Sequence, residues 1–176
     1  TEFFFTEFGY ALILIAVQVF LYRDQYKSIA ELSEEELRLG GLRINPKTNI
    51  GSRVSYVTDL KVKKVSEKET TPVTGLPEDA KLAYFNWSPD ESKLAFTNTT
   101  KTGVELWVLD LKSRQAKQLT QATINANMGN PIDWFEDGKS LLVKMLPEDR
   151  KDLIDKTDAI PEGPTISTSD GQEAQN

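Results

Sequence analysis

Two ten-residue segments of this chain follow one pattern, set 47 residues apart. Trp87-Ser88-Pro89-Asp90-Glu91-Ser92-Lys93-Leu94-Ala95-Phe96 aligns with Trp134-Phe135-Glu136-Asp137-Gly138-Lys139-Ser140-Leu141-Leu142-Val143. The tryptophan, the aspartate three positions on (Asp90 and Asp137) and an apolar pair (Leu94-Ala95 and Leu141-Leu142) recur together. A fainter echo joins Pro72-Val73-Thr74 to Gln118-Leu119-Thr120, at an offset of 46. The repeated unit reads as strand, tight turn, strand. Pro89 locks φ at the second turn position, while Ser88 and Asp90 can bond nearby backbone. Asp137-Gly138 offers the positive φ that a tight hairpin needs. Glu91 departs from this logic, standing where a glycine usually closes the turn.

The intervening sequence supplies more short strands. LKVKKV (60–65), LAYFNW (82–87), KLAFTNT (93–99), VELWVLDL (104–111), IDWF (132–135) and SLLVKML (140–146) are separated by turn clusters every 8–12 residues. A repeat of roughly 40–50 residues with four short strands per unit is the signature of a β-propeller blade. The expected fold class is therefore all-β, a partial β-propeller of about two four-stranded blades. Trp87 and Trp134 are expected to pack between blades. Because each blade buries its faces on neighbours and a ring needs roughly four to eight, the stretch reads as part of a larger propeller.

Around these repeats the chain divides into three parts: an apolar N-terminal segment (1–27), the propeller part (28–146) and a polar tail (147–176) read as linker or disordered end. Residues 8–22, FGYALILIAVQVFLY, have two readings. They are β-branched enough for a buried strand, yet apolar enough to suggest membrane contact, although fifteen helical residues span only about 22 Å of a roughly 30 Å hydrocarbon core. Residues 28–39, SIAELSEEELRL, predict a short helix or two short turns: Ser28 with Glu31, and Ser33 with Glu36, each form a capping-box pattern, and Gly40-Gly41 supplies a stop.

Composition excludes much chemistry from these residues. The 176 residues contain no His and no Cys, so Ser-His-Asp and Cys-His arrangements, thiolate metal sites and disulfides are all absent. With Lys plus Arg at 21 and Asp plus Glu at 27, the formal charge is −6, which argues against nucleic acid as a partner. No catalytic residue, metal ligand set or cofactor site is expected. Arg43, Asn45, Asn49 and Arg53 make the most polar constellation among apolar neighbours. Arg43 or Arg53 could face a cavity and hold an acidic side chain bidentately, or these residues could bond backbone in an irregular loop. Asp90, Glu91, Glu136 and Asp137 match no oxygen-ligand loop and read as turn residues. Asn86-Trp-Ser and Asn98-Thr-Thr match the glycosylation sequon by coincidence, and Trp107 reads as core.

Several longer stretches carry a family resemblance. LRLGGLRINPKTNIGSRVSY (37–56), VTGLP (73–77), WSPDESKLAFT (87–97), VELWVLDL (104–111), SLLVKMLPEDR (140–150) and IPEGPTI (160–166) together resemble the N-terminal propeller of the prolyl oligopeptidase family, in its glutamyl endopeptidase branch. Members pair this propeller with a C-terminal α/β-hydrolase domain bearing a Ser-Asp-His triad, and the propeller limits access to peptides or unfolded segments. The resemblance implies a serine-type peptidase parent, with that hydrolase domain and peptide substrates as partners, in a bacterial envelope, a secreted setting or a plastid. This chain has no G-x-S-x-G elbow and no His, so no catalytic residue carries over. The competing readings are a stand-alone or membrane-tethered propeller scaffold that binds proteins, and a non-functional peptidase remnant.

Overall fold

A computed structural model describes residues 17–22 and 27–150. In chain order the elements are β1 (Val17–Tyr22), α1 (Ile29–Leu32), β2 (Leu37–Leu39), β3 (Leu42–Asn45), β4 (Ile50–Gly51), β5 (Asp59–Lys64) and β6 (Thr71–Pro72). There follow β7 (Leu82–Trp87), β8 (Lys93–Thr99), β9 (Val104–Asp110), β10 (Gln115–Gln118), β11 (Ile132–Trp134) and β12 (Leu141–Val143). One sheet is complete, a four-stranded antiparallel meander in the order β10-β9-β8-β7. Before it lies β1-β5-β6, after it β11-β12, and a separate sheet β2-β3-β4.

The sequence repeat is a repeat of hydrogen-bond register. Trp87 pairs with Leu94 across β7 and β8, and Trp134 pairs with Leu141 across β11 and β12. Ser88 N donates to Lys93 O at 3.0 Å, and Phe135 N to Ser140 O at 3.0 Å. Within the turns, Glu91 N donates to Ser88 O and Gly138 N to Phe135 O. Asp90 and Asp137 each accept a serine hydroxyl at 2.8 Å, from Ser92 and Ser140. The fainter echo holds too. Lys61 pairs with Pro72 as Trp107 pairs with Gln118, and Val73 N donates to Leu60 O as Leu119 N donates to Leu106 O. So β5-β6 repeats as β9-β10, and β7-β8 as β11-β12. The fold is a partial β-propeller: one whole blade between parts of two others.

Period-two alternation along β8 builds a core on each side of that blade. Leu94 and Phe96 face Leu60, Val62 and Val73 of the preceding sheet. Ala95 faces the other way, joining Leu106, Ile124 and Ile132 toward the following one. β8 is therefore buried along almost its whole length.

Three local expectations resolve differently. The helix expected over 28–39 shortens to α1, whose capping box forms as Ser28 Oγ accepts from Glu31 N at 3.2 Å and Glu31 Oε2 accepts from Ser28 N at 2.9 Å. The second cap, at Ser33, does not extend it. Glu36 turns to Arg43 and Ser52 instead, and Leu37 buries opposite Ile44 in β2-β3. Gly40-Gly41, with φ of 55° and 87°, forms the hairpin turn between those strands, a conformation in which both central residues require positive φ. Trp87 is 42% exposed and does not pack between blades, whereas Trp134 is half-buried and donates Nε1–H to Asn86 O at 3.0 Å. Trp134 rests on β7, the inner strand of the blade before it. Among the described residues the preceding sheet has no strand in that position, so Trp87 has nothing equivalent to cover it.

Part of the segment 8–22 is settled as strand. β1, inside the 1–27 segment, pairs antiparallel with β5 from Val17↔Lys64 to Tyr22↔Asp59, and Val19 packs on the core. Among the described residues no helix is long and apolar enough to cross a membrane. Residues 8–16, and the tail from 151 on with its IPEGPTI stretch, lie outside the described residues.

The exception at Glu91 has a measurable consequence. Its φ is 53°, and Gly138, its counterpart in the second copy, has φ 60°. An L-residue in the left-handed region costs roughly 1–2 kcal/mol, which glycine avoids at some expense in unfolded-chain entropy. Glu91→Gly is therefore expected to stabilise the chain by about 0.5–1 kcal/mol, read as a raised urea midpoint with unchanged slope. A fall in stability would mean the Glu91 side chain holds the turn.

Candidate functional site

One large cleft, of about 1510 Å³, opens between the β2-β3-β4 sheet with α1 on one side and, on the other, the loop before β7 (77–81), the end of β8 and the start of β9. Both arginines singled out in the sequence line it. Their roles differ. Arg43, on β3, donates from Nη1 to Glu36 Oε1 at 2.5 Å, and Arg38 Nε reaches the same oxygen at 3.2 Å. Ser52 Oγ donates to the other oxygen, Oε2, at 2.5 Å. These bonds, that from Ser52 foremost, hold the Glu36 carboxyl at about 2. Arg43 is thus occupied in stitching β2, β3 and the loop after β4. Arg53 is exposed and has no carboxylate within ion-pair distance among the described residues.

The two asparagines shape the loop between β3 and β4. Asn45 Oδ1 accepts from the backbone N–H of Lys47 and Thr48, an Asx turn, and its Nδ2 donates to Glu34 at 2.5 Å. Asn49 takes φ 60°, which asparagine tolerates, and its side-chain oxygen accepts from Arg150.

Sequence reasoning missed the rest of the cleft. Tyr56 stands in it, its ring approached by Lys27 Nζ and Lys81 Nζ, each 5.9 Å from the centroid. Burial pushes its phenol up. Lys81 Nζ also meets Glu31 Oε1 at 2.7 Å, and with the Ser28 cap this keeps the Glu31 carboxyl at about 2. Trp107, read as core, is buried, but its Nε1–H donates to Glu105 at the edge of the cleft. Thr48 and Thr99, 6% exposed each, also line it. These residues come from segments up to 80 positions apart, and nothing local in the sequence links them.

The other sequence candidates lie elsewhere. Asp90 and Asp137 are turn residues, and Lys93 Nζ donates to Gly138 O at 3.3 Å, so the two copied turns touch. Ser88 and Ser92 hold the Asp90 carboxyl at about 2. Among the described residues no group of three or more acidic, His or Cys side chains is placed to hold a metal. Both sequon amides are engaged: Asn86 Nδ2 donates to Ile132 O, and buried Asn98 donates to Glu105 while accepting from Lys81 N.

The low carboxyl values set a direction for acid stability. A carboxyl whose pKa is lower in the folded state adds stability above its unfolded value and loses it as pH falls through the folded one. Glu31 and Glu36 fall from 4.5, and Asp90 from 3.8, to about 2. The chain is expected to lose stability progressively between about pH 4 and pH 2. Glu36→Gln should flatten part of that slope, checked by urea midpoints across this range; an unchanged profile would refute the role given to Glu36.

Comparison with known proteins assigns this architecture. The family model described as the dipeptidyl peptidase IV (DPP IV) N-terminal region matches residues 43–146. The chain belongs to that family. The DPP IV N-terminal region here thus runs from β3 through β12, the whole of the strand repeat, and takes in both Arg43 and Arg53. Two curated relatives support the prolyl oligopeptidase assignment. A probable chloroplastic glutamyl endopeptidase of Oryza sativa subsp. japonica is 28% identical over 165 residues, covering 86% of this chain and 17% of the relative. One of the same description from Arabidopsis thaliana is 30% identical over 161 residues, covering 83% of this chain and 16% of its own length. The chain spans about a sixth of the curated relatives it matches.

Proposed function

We propose that this chain is the non-catalytic propeller portion of a prolyl-oligopeptidase-type serine peptidase, gating peptide access to an α/β-hydrolase domain that these residues do not include. One observation carries the reading: the blade register repeats, yet among the described residues only one blade is whole, so the faces on either side call for further units of the same kind. The family match and the absence of His from all 176 residues support a gate in preference to a catalyst. Arg43 and Arg53 are the positions at which such a gate would meet acidic side chains, Arg53 with its guanidinium the less engaged of the two.

The test is a chimera. This chain is exchanged for the matching region of a glutamyl endopeptidase, and cleavage of a short Glu-containing peptide is compared with cleavage of a folded protein containing the same sequence. The expected result is retained peptide cleavage and an intact folded protein, with no hydrolysis by the 176-residue chain alone. Turnover by the isolated chain, or equal cleavage of both substrates by the chimera, overturns the proposal.

A further inference from the structure

We propose that the cleft is closed by an ionic latch, Glu31 on α1 against Lys81 on the loop before β7, and that this pair sets how far the two walls part.

The two sides of the latch are held very differently. Lys81 belongs to the blade: its backbone N–H donates to Asn98 Oδ1 at 3.1 Å, and its carbonyl accepts from Thr99 N at 2.9 Å. Those bonds tie the loop to β8, so the ammonium is presented from a fixed edge. α1 has no such footing. It is four residues long with none buried, and Ile29 and Leu32 are 86% and 70% exposed. A single helical turn does not sustain itself in water, and here no apolar burial supports it. Polar contacts hold it instead. Lys27 Nζ donates to Ser52 O at 2.6 Å, and Glu34 accepts from Asn45 Nδ2 at 2.5 Å, both toward its own sheet. Only Glu31 reaches across. Its Oε1 meets Lys81 Nζ at 2.7 Å, and among the described residues this is the one ion pair that joins the two walls.

The surrounding charge makes the latch reversible. Glu34 and Glu35 follow Glu31 on one wall, Glu78 and Asp79 precede Lys81 on the other, and all four line the cleft. Lys81 is the only cation on its loop (77–81). With it in place the walls attract; without it, carboxylates face carboxylates and repel. The paired side chains are 39% and 25% exposed, so solvent and salt weaken the contact. A contact this modest leaves closed and open forms close in free energy. The backbone bonds from Val57 N to Leu82 O and from Leu82 N to Val57 O, 2.8 Å each, join the same walls and do not depend on the latch. Opening is therefore a local parting of α1 from the loop, with the blade intact.

The attraction and the underlying repulsion respond to salt with opposite signs, which gives the test. Hydrogen exchange of peptides covering residues 28–35 is followed by mass spectrometry on the full 176-residue chain, in about 20 mM and about 0.5 M sodium chloride. At low salt Lys81→Met should exchange about two- to fivefold faster there than the unmodified chain, the change in opening that a partly exposed ion pair commands. Lys81→Arg, which keeps the charge, should not. Added salt should speed exchange in the unmodified chain and slow it in Lys81→Met, so that the two converge. Peptides from β8 and β9 should be unchanged throughout. Three results overturn the proposal: equal exchange of the unmodified chain and Lys81→Met at low salt, salt effects of the same sign in both, or acceleration in β8 and β9 as well, which would mean that Lys81 holds the blade. None of them bears on the chimera, whose selectivity against folded protein is read separately.

Discussion

Phe96→Ala is expected to lower the unfolding free energy by about 3–5 kcal/mol, the usual range for emptying a large aromatic from a core. Phe96 is fully buried at the middle of β8, between β7 and β9. Its ring lies 5.8 Å from that of Phe85 and faces the cluster shared with Leu60 and Val62 of the preceding sheet. The cavity would open at a seam between two sheets, where strand pairing on both sides of β8 resists collapse into the space. Because that seam joins two units of the repeat, loss of cooperativity between them is expected as well. Urea unfolding followed by Trp fluorescence gives both quantities. A loss below about 1 kcal/mol would show that the seam repacks freely.

Gly75→Ala should be among the most damaging single-methyl changes. Gly75 has φ +79°, and a Cβ there would stand 2.6 Å from Ala116 O, a backbone atom that cannot step aside. The residue carries the chain past β10, just after the parallel bridge between Thr74 and Gln115 and the bonds Thr74 N to Arg114 O and Ala116 N to Thr74 O. Left-handed strain alone accounts for roughly 1–2 kcal/mol; displacing β10 adds to it, for an expected total of at least about 3 kcal/mol. Gly138→Ala is the natural control. Gly138 also has positive φ, at +60°, but its nearest neighbour is the Asp90 carboxylate at 3.5 Å, an ordinary contact. It should cost only the strain. Equal losses at the two glycines would remove the close approach from the explanation.

Both predictions concern seams between blades, and the hairpins that flank those seams were legible in the sequence. The recurrence of tryptophan, turn aspartate and apolar pair marks two hairpins that share one register, and Trp107, read as core, is buried. The cap at Ser28 was equally legible. It failed to say how far the helix ran, because Glu36 has a better partner in Arg43 than in its own backbone, and that partner lies across a hairpin. The exposure of Trp87 was hidden for a related reason: a motif fixes what a residue presents, whereas burial depends on which strand stands opposite.

The candidate site was half visible. Arg43 and Arg53 stood out as cations among apolar neighbours, and both line the cleft. Thr48, Tyr56, Thr99 and Glu105 carry no pattern of their own. They meet only because the β2-β3-β4 sheet lies across from the loop before β7 and from the β8-β9 hairpin end.

What the order of residues determined alone was periodic and local: strand alternation, turn chemistry, the spacing of the repeat, and the lack of any histidine or cysteine for catalysis. Those follow from backbone sterics and side-chain identity over a few positions. What only the tertiary structure decided was every contact between distant segments: the engagement of Arg43 by Glu36, the approach of Lys27 and Lys81 to Tyr56, and the cleft itself. Hydrogen bonding and burial are properties of pairs, and the second member of each pair is chosen by the fold.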